Sequence, residues 1–190
     1  MGRDPHLPLP MNKKFSLGQI HVYTGDGKGK TTAGLGLALR ASGHGKKVAI
    51  IFFDKGGFNY GERHSLPLLK NIDFFVTGLV RFKPGTPFRF SILEEDKDEA
   101  ERGLQLARAL FRKKYNLIIL DEINTATKLK MLKLNHVLEL MKDKPEHIEM
   151  VMTGRRAPKK IMETADLVTE MKLRKHYFYK GIAARRGIEY

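Results

Sequence analysis

Thr24-Gly25-Asp26-Gly27-Lys28-Gly29-Lys30-Thr31-Thr32 is the stretch on which the fold turns. It follows Gln19-Ile-His-Val-Tyr23, which reads as a short strand. It opens a segment, Thr31 to Ala41, with apolar residues at Leu35, Ala38 and Leu39, a helical spacing. Strand, glycine-rich loop and helix in that order are the context of a phosphate-binding loop. Glycines let the chain curl with its N–H groups inward, a nest for anionic oxygens. The helix N-terminus adds positive potential at the same place. Lys30 can reach phosphate oxygens and the Thr31 hydroxyl can coordinate Mg²⁺. The usual pattern, GxxxxGK[ST], has glycine where Thr24 stands, so this loop is a variant whose first glycine comes one position late.

Outward from the loop, strands and helices alternate. Ser42-Gly43-His44-Gly45 stops the first helix. Val48 to Phe53 is a continuous apolar run, as in a strand covered on both faces. Ile72 to Val76 is a further strand, and residues 79–96, with Pro84, Gly85 and Pro87, read as a loop. Asp98 to Tyr115 is amphipathic, with Ala100, Leu104, Ala107 and Phe111 on one face. Leu117 to Leu120 is a buried strand, Lys128 to Lys142 a helix ended by Pro145, and Ile148 to Met152 a strand. Pro158 to Ala165 is a helix opened by proline, and Leu167 to Met171 a last strand. The pattern predicts an α/β fold: a mainly parallel sheet with helices on both faces. Residues 1–14, with three prolines, read as a flexible arm or cloning remnant ahead of a single nucleotide-binding domain over 15–190.

Two more strand ends carry chemistry. Asp121-Glu122 closes the fourth strand, at the carboxyl edge where open α/β sheets bind ligands. Thr31 with either Asp121 or Glu122 can hold Mg²⁺, which keeps several waters and needs few protein ligands. Thr153-Gly154-Arg155-Arg156 follows the fifth strand, and an arginine there can grip phosphate bidentately. Arg40, late in the first helix, suits a helix-end charge complement better than a ligand contact. His176 divides evenly between surface and site.

Composition bounds the rest. The 190 residues are 42% hydrophobic and 29% charged, a globular balance. With no cysteine, a disulfide framework and a thiolate metal site are excluded. No apolar run approaches the roughly 18 residues of a membrane span, and nothing contradicts a cytoplasmic location. Lys plus Arg number 35 against 21 acidic residues, a net +14, which favours polyanionic partners without choosing among them.

Taken together, TGDGKGKTTAGLGLALRASGHGKKVAI, DKGGFNYGER at 54–63, LIILDEIN at 117–124, PEHIEMVMTGRRAP at 145–158 and the closing ADLVTEMKLRKHYFYKGIAARRGIEY resemble the ATP-dependent corrinoid (cobalamin) adenosyltransferases, from about residue 19 onward. The resemblance implies a RecA-like P-loop fold, a homodimer, and a flavin-type reductase as partner. The implied reaction is attack of a Co(I) corrinoid on C5′ of ATP, with release of triphosphate. By position, Gly25, Asp26, Gly27, Lys28, Gly29, Lys30, Thr31 and Thr32 hold the nucleotide, Thr31 and Glu122 bind Mg²⁺, Arg40 lies near the nucleoside and Arg155 near the phosphates. Family members often carry Phe-x-Trp after a Thr-Gly. The matching stretch here is Thr77-Gly78-Leu79-Val80-Arg81-Phe82 and the chain has no tryptophan, so either Phe82 substitutes or the 79–96 loop is rebuilt. Two other readings of the loop remain: a P-loop ATPase or kinase of another kind, and a nucleotide-dependent nucleic-acid binding protein suggested by the charge.

Overall fold

The computed structural model describes residues 18–81 and 89–190; residues 1–14 and Phe82 lie outside them. The elements run β1 (Ile20–Thr24), α1 (Lys30–Gly43), β2 (Val48–Phe52), α2 (Glu62–Ser65), β3 (Ile72–Val76), α3 (Glu94–Leu110), β4 (Leu117–Asp121), α4 (Ile123–Lys128), α5 (Leu134–Asp143), β5 (Glu149–Thr153), α6 (Lys159–Thr164) and β6 (Leu167–Glu170). The six strands form one sheet ordered β3-β2-β4-β5-β1-β6, and every recorded pairing is parallel.

The period of two along the strands divides the core. Ala49, Ile51, Ile118, Leu120, Met150 and Met152 face α3 to α6, while Val48, Ile50, Phe52, Leu117, Ile119 and Val151 face Ala38 of α1 and Leu66. β2 and β4 are therefore buried at every position. Each fully buried aliphatic side chain contributes about 1.5–3 kcal/mol, so the two central strands anchor the sheet whose edge carries the site.

Three boundaries differ from the sequence reading, each for a local reason. α3 begins at Glu94, inside the expected 79–96 loop. The Asp96 carboxylate accepts the Leu93 N–H at 2.8 Å, and Glu94, Glu95 and Asp96 complement the helix dipole. The helix expected over Lys128 to Lys142 begins only at Leu134, as α5; a separate short helix, α4, ends at Lys128, and Lys130 between them takes φ 59°. Leu39, expected on the buried face of α1, is 56% exposed; Gly34 and Ala38 are the residues that face the sheet.

Tyr115 illustrates a buried polar group at the opposite end of the sheet. Its hydroxyl donates to Asp73 at 2.7 Å, and burial together with that carboxylate pushes its pKa up to about 12. Stability supplied by the neutral phenol is complete below its ordinary value of 10.0 and is lost as pH rises through about 12. Tyr115→Phe should remove about 2 kcal/mol of the alkaline loss over that window. Urea denaturation at pH 9 and pH 12 checks this; equal losses in both proteins would show that Tyr115 is not responsible.

Candidate active site

Gly25 and Gly29 take φ 94° and 117°, the left-handed values that fold the loop back on itself. The curl packs on the chain leaving β6: Met171 N donates to Thr24 O at 2.8 Å, and Gly27 N donates to Met171 O at 2.7 Å. Thr24, which stands where the usual loop has its first glycine, is the last residue of β1. Its hydroxyl accepts the Ala157 N–H at 3.0 Å, so the strand is fastened there and the curl starts one residue later.

Lys30 opens α1 and is buried, with Nζ donating to Gly27 O at 2.6 Å. Burial pushes its ammonium below the usual lysine range; Glu122 opposes this, while Arg155 and Lys55 add to it. A largely desolvated ammonium without a direct ion-pair partner among the described residues has electrostatic capacity to spare for an incoming anion.

A cationic and anionic cluster sits beside the loop. Asp121 ends β4, and Glu122 follows in the left-handed region at φ 64°. Thr153 Oγ1 donates to Asp121 Oδ1 at 2.6 Å and accepts Glu122 N–H at 3.0 Å. Lys55 Nζ reaches into this cluster, donating to Thr31 Oγ1 at 2.9 Å and pairing with Glu122 Oε1 at 3.0 Å and Asp121 Oδ2 at 3.7 Å. Burial alone would lower the Lys55 pKa, but the two carboxylates together raise it above the lysine range. Burial pushes Asp121 up against the pull of Lys55. For Glu122 burial acts upward, and Lys55, the Thr125 hydroxyl and Lys30 outweigh it and hold the carboxyl down.

The third strand end joins the same place. Gly154, at φ 133°, lies so close to α4 that a Cβ would sit 2.6 Å from Thr125 N. Arg155 N donates to Thr125 Oγ1 at 2.9 Å, and its exposed side chain borders the cavity. Arg156 turns instead to Asp26, 4.0 Å away.

Lys30, Thr31, Lys55, Glu122, Thr125 and Arg155 line a cavity of about 870 Å³ that also takes in Tyr60, His176 and Tyr190. The C-terminal tail forms part of its wall. Lys28 Nζ donates to Tyr177 Oη at 3.1 Å, Ile188 O at 3.0 Å and Glu189 Oε1 at 2.6 Å. The Arg185 guanidinium lies 4.8 Å over the Tyr177 ring. Arg185, Lys28 and Tyr177 hold the Glu189 carboxyl well below the usual range.

The sequence-predicted residues Gly27, Lys28, Gly29, Lys30, Thr31, Thr32, Glu122 and Arg155 thus meet at one cavity. Lys28 is turned toward the tail rather than toward the loop. Asp121 is buried behind Glu122 and is not in the cavity wall. Arg40 is in the last turn of α1, exposed, and also outside the wall; ten residues of helix put it roughly 15 Å from Lys30. Lys55 and the tail contacts were missed as single residues, although both fall in segments that carry the family resemblance. Arg81, in the stretch matching the aromatic pair, is buried and pairs with Asp54 at 3.1 Å.

A glycine-rich curl, a lysine, a hydroxyl and a carboxylate on the carboxyl edge of a parallel sheet define a P-loop nucleotide-binding protein. Solved structures agree on the fold. A KaiC-like protein from Pyrococcus horikoshii superposes with TM-score 0.54 at 16% identity, covering 84% of this chain and 75% of that one. The flagellar accessory protein FlaH from Methanocaldococcus jannaschii gives 0.52 at 10% identity, over 82% and 71%. The fold is the RecA-like one that the sequence led us to expect. Residues 16–190 match the family model of the ATP:corrinoid adenosyltransferases BtuR/CobO/CobP, and the chain belongs to that family. It is 37% identical over 175 residues to a corrinoid adenosyltransferase from Sinorhizobium sp., covering 91% of this chain and 80% of that protein. It is 35% identical over 176 residues to a corrinoid adenosyltransferase from Escherichia coli K12, over 91% and 86%. The chain is accordingly an enzyme that transfers the adenosyl group of ATP to a corrinoid.

Proposed function

We propose that the cavity binds MgATP with its triphosphate along Gly25 to Thr32 and Arg155, and presents C5′ to a Co(I) corrinoid. The observation that carries this is the meeting of the curled loop, Lys30, Thr31 and Glu122 at one cavity wall. The donor set also fits Mg²⁺. Thr31 Oγ1, Glu122 Oε1 and Asp121 Oδ2 are hard oxygens already gathered around one cation, the Lys55 ammonium, and Asp121 Oδ2 is buried without a hydrogen bond. Thr31 and Glu122 would hold the metal, which when bound supplies positive charge to the phosphate oxygens.

The chain's own work is positioning and electrostatics. Co(I) is itself a strong nucleophile, so no general base is required. Its electron pair forms the Co–C5′ bond while the C5′–O bond breaks and triphosphate leaves with the bonding pair. Negative charge grows on the departing oxygen, where Lys30 and the loop N–H groups are fixed beforehand. What remains for the cavity is to aim C5′ at cobalt, because in-line attack needs the reacting atoms within about 3–3.5 Å. Arg40, outside the cavity wall, is a proposed nucleotide contact that the cavity itself does not support. A homodimer, also suggested by the resemblance, has a candidate surface in edge strand β6, where Leu167 and Val168 are 42% and 43% exposed. Co(I) needs a reductant, which supports a flavin-type reductase as partner. Among the described residues no helix is long and apolar enough to cross a membrane, and we place the enzyme in the cytoplasm.

An anaerobic assay with reduced corrinoid and MgATP tests the reading. We expect adenosyl–cobalt absorbance to rise with stoichiometric triphosphate. ADP plus phosphate would instead mark an ordinary ATPase or kinase. Glu122→Gln should raise the Mg²⁺ concentration for half-maximal rate by roughly tenfold or more, since even outer-shell losses weaken metal binding on that scale. An unchanged Mg²⁺ requirement would remove Glu122 from the metal site.

A further inference from the structure

We infer that Lys55 is a built-in placeholder cation: its ammonium occupies the metal position of the nucleotide-free enzyme and gives it up when the metal arrives with ATP. This deepens the proposed function and rests on its assignment of Thr31 and Glu122 to the metal.

The geometry is that of substitution at one position. Lys55 Nζ is 2.9 Å from Thr31 Oγ1, 3.0 Å from Glu122 Oε1 and 3.7 Å from Asp121 Oδ2. A Mg²⁺ ion bound by these oxygens at about 2.0–2.1 Å would lie where the ammonium now stands, so metal and ammonium cannot occupy that position together. Neither loop lysine is a substitute, because Lys30 Nζ is held at Gly27 O, 2.6 Å away, and Lys28 Nζ is turned to the tail.

Lys55 is placed so that its side chain can move while its backbone stays. It follows β2, and its own carbonyl accepts from the Arg63 guanidinium, which also donates to Gly57 O. Gly56 N donates to Leu79 O at 3.0 Å. The backbone is thereby pinned on both sides, whereas the side chain is 30% exposed and ends in the cavity. Four methylenes and a rotatable ammonium are suited to a change of partner.

Charge accounts for the exchange. Lys55 brings one positive charge to two carboxyl groups, Asp121 and Glu122. A divalent ion brings two and frees the ammonium beside the triphosphate. Metal alone must therefore displace a bonded cation without compensation, while metal with ATP gives that cation a new anion. Lys55 becomes a positioning residue that makes metal binding depend on nucleotide.

Mn²⁺ titration followed by electron paramagnetic resonance tests this at pH 8, with and without ATP. In the absence of nucleotide, Lys55→Met should bind Mn²⁺ at least about tenfold more tightly than wild type, because a positive charge at contact distance has been removed. With ATP present the variant should lose that advantage and show a raised KM for ATP. A lysine whose role is only to hold the fold would give weaker metal binding on removal, not tighter. Equal or weaker Mn²⁺ affinity in nucleotide-free Lys55→Met overturns the inference. If Lys55→Met does not fold, Lys55→Gln, which keeps an amide donor without the charge, carries the same comparison. Failure of the metal assignment reads differently: Glu122→Gln would then leave Mg²⁺-dependent turnover of the otherwise wild-type enzyme unchanged.

Discussion

Lys30→Ala should lower adenosyl transfer by about 10²–10³-fold, the scale reached when one preorganised charge-stabilising donor is removed. Lys30 is on the first turn of α1 with its ammonium over the loop, donating to Gly27 O. It is the residue best placed to meet charge growing on the departing phosphate chain. The fold should survive. Removing the side chain leaves Gly27 O without its donor, a cost of about 1–3 kcal/mol. It also removes an ammonium that burial already disfavours, as its depressed pKa records. The two effects oppose each other, so the melting temperature should move by only a few degrees, roughly 2–4 °C per kcal/mol at this size. Lys30→Arg should not restore activity, because a planar fork does not replace a compact point charge. Single-turnover rates, calorimetric ATP binding and circular dichroism together decide the matter. Turnover near the wild-type level in a folded Lys30→Ala protein would overturn the phosphate-loop assignment.

The fold and one half of this site are readable in the chain because they are local. A strand, a glycine curl and a helix lie within 24 consecutive residues, from Ile20 to Gly43. Asp121-Glu122 is equally visible as a polar pair closing an apolar run. The part that escaped is set by pairing between distant segments. Lys55 is one of 35 basic residues, and although it lies in a segment that carries the resemblance, no chemical motif singles it out. Its role follows from the parallel register of β2 and β4, which sets Phe52 opposite Asp121 and so delivers Lys55 to the carboxylates. The tail is similar: Tyr177 to Tyr190 has no period, and it is fastened to the site by the Lys28 contacts with Tyr177, Ile188 and Glu189. Helix starts were misplaced where a side chain, not periodicity, fixes the first turn, as Asp96 does for α3. The displaced first glycine is visible in the sequence, but its setting is not: Thr24 ends β1 with its hydroxyl accepting the Ala157 N–H, and the chain turns at Gly25.

Gly25→Ala should therefore be among the most damaging single changes that leave every catalytic side chain in place. At φ 94° an alanine pays a steric cost that glycine does not, about 1–2 kcal/mol. The added methyl would also stand 2.4 Å from Met171 O and 2.8 Å from Met171 N, both backbone atoms that cannot rotate away. Relief requires the chain after β6 to retreat, breaking the bonds from Met171 N to Thr24 O and from Gly27 N to Met171 O that hold the curl. We expect a total loss of about 2–4 kcal/mol, seen as a melting temperature lower by roughly 5–15 °C. Turnover should fall further than stability, because the same two bonds set the direction of the loop N–H groups. Gly36→Ala is the matched control. Gly36 is within α1, and nothing lies within 4 Å of where its Cβ would be. There alanine should stabilise by about 0.5–1 kcal/mol through helix propensity alone. Thermal melts of both variants beside anaerobic turnover discriminate the two cases. A Gly25→Ala protein that melts and turns over like wild type would mean that the curl does not depend on its seat against Met171.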